Sequence, residues 1–241
     1  MPFADLTGRI AIVTGGAGAL GRATNRVLLD AGATVITTDT YAHGMRDLAA
    51  SFPDDLRARF TTVEADVATE EGAAAVVRQA TEAYGGLDIL VNIVGGYAGG
   101  PHIAATDLAT WQQQIALNAT TAFLMARAAI PAMQPGARGR IINVSSRVAR
   151  TSPAGLGAYA VSKAAVITLT EVLANETRDD GITVNAIMPS VIDTPANRRD
   201  MPDADFAAWV RPEQIGAVIR FLASDESGII SGAAIPVYGR A

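Results

Sequence analysis

The chain has 241 residues, 49% of them hydrophobic and 18% charged, which suits one large core and is too apolar for a disordered chain. A net charge of −5 gives no pull toward nucleic-acid phosphates. The absence of cysteine rules out disulfides, thiol nucleophiles, iron–sulfur clusters and cysteine–zinc sites, and two histidines far apart in sequence, His43 and His102, argue against a histidine-rich metal site.

Met1 to Arg9 shows no basic start followed by an apolar run, so no secretory signal is expected. No stretch of ~18 apolar residues is read, so no membrane span is expected either. These readings give a cytoplasmic protein that engages neither membrane nor nucleic acid.

In chain order, β-branched runs at 9–14, 33–38, 59–63, 87–91, 139–144, 181–187 and 233–237 predict strands. Alanine-rich segments at 19–31, 43–51, 69–84, 106–132, 157–178 and 212–223 predict helices between them. The strands are mostly continuously apolar rather than alternating, as expected when both faces are covered. Their alternation with helices predicts an α/β fold with one doubly wound, Rossmann-type parallel sheet of about seven strands. At ~150 residues per domain the length allows one or two domains. No linker or charge block divides the chain, so 1–241 reads as a single domain. The stretch 188–212 has no strand and holds Pro189, Pro195, Pro202 and Pro212. It predicts a loop with a short helix, and ligands of such sheets bind beyond the carboxyl ends of the strands, where this loop begins.

The first predicted strand ends in Thr14-Gly15-Gly16-Ala17-Gly18-Ala19-Leu20-Gly21 and opens directly into a helix. Glycines let backbone N–H groups approach a pyrophosphate, and the helix N-terminus adds partial positive charge. Asp39, about 20 residues on at the next strand end, completes the context of a dinucleotide site. A carboxylate there accepts hydrogen bonds from both ribose hydroxyls and repels an extra phosphate, and no Arg or Lys follows until Arg46. NAD(H) is therefore expected in preference to NADP(H).

Lys163 is the only lysine in the chain. It stands four residues after Tyr159 in a predicted helix, which puts both side chains on one face. An ammonium close to a phenol favours phenolate and brings its pKa toward working pH. Such a tyrosine can exchange a proton with a carbonyl oxygen while hydride moves.

At this point the sequence resembles the short-chain dehydrogenase/reductase family over nearly its whole length. The resemblance rests on Tyr159-Ala160-Val161-Ser162-Lys163, Asn143-Val144-Ser145-Ser146, Leu117-Asn118, Asp66-Val67, and Asn185-Ala186-Ile187-Met188-Pro189 followed by Ile192-Asp193-Thr194. It implies that Tyr159 is the general acid/base, that Lys163 binds the nicotinamide ribose and lowers the tyrosine pKa, and that Ser146 rather than Ser145 bonds the substrate oxygen. Asn118 would hold a water of the proton path. Gly15, Ala17, Gly18, Ala19, Leu20, Gly21, Asp39, Asp66, Val67, Asn92, Pro189, Ile192 and Thr194, with Tyr159 and Lys163, would contact the cofactor. It also implies a homodimer or homotetramer paired through helices 106–132 and 157–178.

The chain departs from the family pattern in three places. The middle glycine of the turn falls at Gly18 with alanine at 19, the segment after the fourth strand reads Asn92-Ile93-Val94-Gly95, and Pro189 is followed by Ser190. The glycine turn, Gly95 to Gly100, and Asp193 to Trp209 are similar to quinonoid dihydropteridine reductase, a member of the same family. Ser146, which that enzyme lacks, favours carbonyl or alcohol chemistry. A pterin-type reduction is the alternative, and a non-catalytic NAD-binding sensor a third reading. Tyr97, His102, Arg147, Arg150, Met188, Asn197, Phe206 and Trp209 fall on loops at the carboxyl ends of strands. Of these, Tyr97, Arg147 and Trp209, with Ser146, are expected to meet a small-molecule substrate, and the substrate loop is expected near 190–211. Arg147 and Arg150 could attract an anionic group.

Overall fold

Strand pairing sets the architecture in this computed structural model, which describes residues 3–133 and 138–240. Residues 1–2 of the N-terminal start read above lie outside the described residues. Seven strands form one all-parallel sheet: β1 (Ile10–Thr14), β2 (Thr34–Asp39), β3 (Phe60–Glu64), β4 (Ile89–Asn92), β5 (Arg140–Val144), β6 (Thr183–Pro189) and β7 (Ala234–Val237). Their order is β3-β2-β1-β4-β5-β6-β7. The order reverses between β1 and β4, which opens a crevice at the carboxyl ends of those strands.

The helices are α1 (Ala19–Asp30), α2 (Ala42–Ser51), α3 (Asp54–Arg57), α4 (Glu70–Tyr84), α5 (Leu108–Ile115), α6 (Thr121–Ala129), α7 (Val148–Thr151), α8 (Gly157–Glu176), α9 (Pro195–Asp200) and α10 (Pro212–Ala223). Successive strand residues face opposite sides of the sheet. Val13, Val35, Val91 and Ile142 pack on one side with Leu28 and Leu29 of α1 and Ile215 and Ile219 of α10. Ile12, Ile36, Leu90 and Ile141 pack on the other with Val76 and Val77 of α4, Leu124 and Met125 of α6 and Leu173 of α8. This two-sided burial is why most of the strands read as apolar, β-branched runs rather than as alternating ones.

Local chemistry fixes the ends of the helices near the crevice. Thr69 caps α4 by accepting from Gly72 N at 3.0 Å, and Gly85 closes that helix in the left-handed conformation. Asp107 caps α5 by accepting from Thr110 N at 2.7 Å. Thr194 caps α9 by accepting from Asn197 N at 3.1 Å, with Pro195 in the first turn.

Two expectations change. The helix predicted over 106–132 is α5 and α6 joined by a π-turn at Ala116–Thr120. In addition, Leu108–Ala132 and Gly157–Glu176 are long and apolar enough, by length and composition, to cross a membrane. Here they carry the alanine-rich faces of helices packed against the sheet, with residues such as Met125 and Leu173 in its core.

Candidate active site

A cleft of about 1450 Å3 runs along the carboxyl ends of the strands. At one end it is floored by the glycine turn. Gly15 has φ of +68°, and a Cβ on Gly16 or Gly21 would collide with Thr37 Oγ1 or with Gly15 O respectively. Gly18 carries no such demand: it has φ of −71°, and its Cβ would sit 3.4 Å from Gly15 O. The displaced middle glycine and Ala19 are thus compatible with this turn. Gly18 leads into α1, whose first N–H groups face the cleft with Ala19, Leu20 and Gly21.

Asp39, half-buried at the end of β2, also lines the cleft. Its carboxylate accepts from Ala17 N at 3.1 Å and Tyr41 N at 3.0 Å. Both bonds come from backbone, so each oxygen keeps acceptor capacity for a ribose hydroxyl. Ala17 itself does not line the cleft and serves by fixing Asp39. Arg22, which the motif reading did not single out, donates to Ala17 O and Gly44 O at 2.8 Å each and ties the turn to α2. Thr14, which opens the glycine-turn motif, has a role of its own. Its hydroxyl accepts from Ile93 N at 3.0 Å and Val94 N at 3.1 Å, joining β1 to the loop after β4. Asp66, Val67, Pro189, Ile192 and Thr194 complete the wall. The glycine cradle, the helix end and the Asp39 carboxylate fit a dinucleotide.

At the other end stand Ser146, Tyr159 and Lys163. Ser146 lies just past β5, and its Oγ accepts from Val148 N at 3.3 Å. Ser145 also borders the cleft, but its hydroxyl is committed to Lys163 O at 2.7 Å, which leaves Ser146 as the serine for the substrate oxygen. Lys163 Nζ donates to Val144 O at 2.9 Å. Burial pulls the Lys163 ammonium down to about 8. Burial also pushes the Tyr159 phenol above its ordinary value; a hydrogen bond from Ser146 opposes this, and Tyr97 adds to it. The expectation of a phenol lowered by Lys163 is therefore corrected. Desolvation is the largest cause of the shift, and the Lys163 ammonium is itself buried and engaged with Val144 O.

Asn118 lies in the π-turn, fully buried. Its Oδ1 accepts from Gly96 N at 3.0 Å, while Nδ2 faces Gly96 O at 3.0 Å and Gln114 O and Ser162 Oγ at 3.1 Å each. These acceptors, with Gln114 Oε1 at 3.4 Å, occupy both hydrogens of its side-chain amide. Asn118 here positions the Gly95–Gly96 loop. Gly95 must lack a side chain, because a Cβ would lie 2.7 Å from Asn118 Oδ1 and 2.9 Å from Lys163 Nζ.

Three further expectations are corrected. Asn92 does not line the cleft; its Nδ2 donates to Asn143 Oδ1 at 2.9 Å, and Asn143 Nδ2 donates to Thr170 Oγ1 at 2.9 Å, a chain that stitches β4, β5 and α8. The register pairs Asn92 with Asn143 and turns both inward. Trp209 is buried and stacks obliquely on Phe206, ring centres 4.8 Å apart, under the 194–211 loop rather than in the cleft. Met188 is buried in β6. Tyr97 and Arg147 do line the cleft, Tyr97 with its ring edge-on to Tyr159 at 5.3 Å. Ser190, in place of a glycine after Pro189, donates to Tyr238 O at 2.7 Å.

A family model described as short chain dehydrogenase matches residues 9–205. The chain belongs to the short-chain dehydrogenase/reductase family. As a member it is an oxidoreductase that takes a nicotinamide cofactor. It is 34% identical to cis-4-hydroxycyclohexanecarboxylate dehydrogenase of Sinomonas cyclohexanicum, over 96% of this chain and 95% of that one. It is 31% identical to the 3-oxoacyl-[acyl-carrier-protein] reductase FabG of Vibrio cholerae, over 98% of each. The fold matches a short-chain type dehydrogenase/reductase from Mycobacterium ulcerans with a TM-score of 0.90, covering 98% of this chain and 90% of that one at 24% identity.

Proposed function

We propose that this protein is a cytoplasmic NAD(H)-dependent dehydrogenase/reductase acting on a small carbonyl/alcohol pair. The observation that carries the reading is Ser146, Tyr159 and Lys163 gathered at one end of a cleft whose other end is the glycine turn and Asp39. Bound nicotinamide supplies the acceptor or donor of hydride. Asp39 selects NAD(H), since its carboxylate suits two hydroxyls and repels a ribose phosphate. Ser146 holds the substrate oxygen beside the phenol. Tyr159 takes the alcohol proton as the carbinol carbon loses hydride, and returns it to the carbonyl oxygen in reduction. Lys163, pinned at Val144 O, orients the ribose side of the site.

Ser146 at Tyr159 favours this chemistry over the pterin-type reduction that the turn and loop suggest, because a carbonyl needs help at oxygen. The two relatives named above, one a cyclic hydroxy-acid dehydrogenase and one a 3-oxoacyl reductase by name, support a carbonyl/alcohol pair. The reading includes a homodimer or homotetramer built on α6 and α8, where Phe123, Val161 and Val172 stand exposed. Light scattering showing a monomer at micromolar protein would refute that part.

The test is absorbance at the reduced-nicotinamide band with a ketone and alcohol panel, run with NAD(H) and NADP(H). Turnover favouring NAD(H) supports the reading. Turnover confined to NADP(H), or turnover of a quinonoid dihydropterin and of no ketone, overturns it.

A further inference from the structure

The catalytic end of the cleft holds a half-buried cation that the protein does not neutralise. Arg147 directly follows Ser146, lines the cleft, and has its backbone fixed by a bond from its N to Pro189 O at 2.9 Å. Its guanidinium lies 5.7 Å from the centre of the Tyr238 ring. Among the described residues it makes no ion pair and donates no side-chain hydrogen bond.

Three other arginines nearby are engaged within the protein. Arg150 faces Glu171 at 3.9 Å, and Arg198 grips Asp193 with two bonds of 2.6 and 2.8 Å. Arg22 is held by two backbone carbonyls. Arg199 also lines the cleft, but it is solvent-exposed on α9 beside Asp200, which lines the cleft with it. The other carboxylates of the cleft, Asp39 and Asp66, sit at the ends of β2 and β3, across the crevice from Arg147.

A partly desolvated guanidinium left with free donors is costly unless a ligand completes it. Stacking on Tyr238 occupies one face of the plane and leaves its N–H edges open, the geometry that takes a carboxylate with two parallel bonds.

We propose that Arg147 binds a carboxylate on the substrate, which makes the substrate class a small hydroxy acid or oxo acid rather than a neutral alcohol or ketone. This rests on the oxidoreductase reading above. Arg147 is adjacent in the chain to the serine that holds the reacting oxygen, so the carboxylate and the carbonyl are recognised by neighbouring residues on one loop. The reaction is then hydroxy acid plus NAD+ giving oxo acid plus NADH and a proton, with the carboxylate unchanged.

The test uses matched pairs, 4-oxocyclohexanecarboxylate and 4-oxopentanoate each against its own carboxamide, with NADH as reductant. The acids are expected to exceed their amides in kcat/KM by about tenfold or more, carried by KM. Arg147→Leu should collapse that ratio to near one, Arg147→Lys should keep part of it, and Arg150→Leu should leave it standing. An equal preference for acid and amide, or a ratio that survives Arg147→Leu, overturns the proposal. A second measurement is independent of turnover: cyclohexanecarboxylate titrated into the enzyme–NADH complex and followed by nicotinamide fluorescence. Binding that is lost in Arg147→Leu and absent with the carboxamide supports the proposal whichever ketone reacts; no binding of the carboxylate to wild type overturns it. Failure of every ketone together with retained carboxylate binding strikes the carbonyl reading and leaves the anion site in place.

Discussion

The Nζ of Lys163 lies 2.9 Å from the carbonyl oxygen of Val144, so the only ammonium side chain of the protein is anchored to the end of β5, one helical turn from Tyr159. It is fully sequestered, and burial lowers it from 10.5 to about 8. The folded state therefore holds this proton less tightly than the unfolded chain. Stability contributed by the group is lowest below pH 8 and recovers as pH rises toward 10.5. Lys163→Met is expected to abolish turnover yet raise stability at pH 7, by up to about 3 kcal/mol. The advantage over wild type should shrink between pH 8 and 10. Chemical denaturation of both proteins at pH 7 and 9.5 checks this; a mutant less stable than wild type at pH 7 contradicts it.

The phenol of Tyr159 is displaced upward from its ordinary value by burial. At neutral pH it is a proton donor. Carbonyl reduction should run well at pH 6–8, whereas alcohol oxidation, which needs the phenolate, should keep rising with pH into the alkaline range. Rates measured in both directions from pH 6 to 10.5 test this, and an oxidation rate already level below pH 8 would show that the phenol is tuned downward after all.

Gly95 leaves room for two functional side chains at once. Its missing Cβ would fall 2.7 Å from Asn118 Oδ1 and 2.9 Å from Lys163 Nζ. The lysine end can bend, but Asn118 is held on both sides by Gly96. Gly95→Ala should fold and bind NADH while losing about 100-fold in kcat, since small displacements of positioned groups cost that much. Unchanged kcat would show that the Asn118–Gly96 link does not serve catalysis.

Asp39 accepts from Ala17 N at 3.1 Å and stands at the glycine-turn end of the cleft. Asp39→Asn keeps an acceptor for that backbone bond and removes the charge. The ratio of kcat/KM with NAD(H) to that with NADP(H) should fall by about tenfold or more. A ratio that does not move would place the discrimination elsewhere.

Much of this was legible in the sequence because the signals are local. The strands are mostly apolar, β-branched runs alternating with alanine-rich helices, and Tyr159 with Lys163 needs only the helical repeat to share a face. What was not legible depends on geometry beyond the sequence neighbours. Ala116-Leu117-Asn118-Ala119-Thr120 has the composition of ordinary helix, so the π-turn between α5 and α6 leaves no compositional mark. Asn92 reads as a strand-end polar group facing a ligand, and only the pairing of β4 with β5 shows that it faces Asn143. The direction of the Tyr159 shift is set by burial against a hydrogen bond from Ser146, and a sequence shows neither.

The most direct test compares wild type with Tyr159→Phe for NADH-dependent ketone reduction, with NADH affinity measured on both by fluorescence. The account predicts that the variant binds NADH within about twofold of wild type and loses at least about a thousandfold in turnover. Turnover within tenfold of wild type would contradict it, because proton transfer would then have to come from another group.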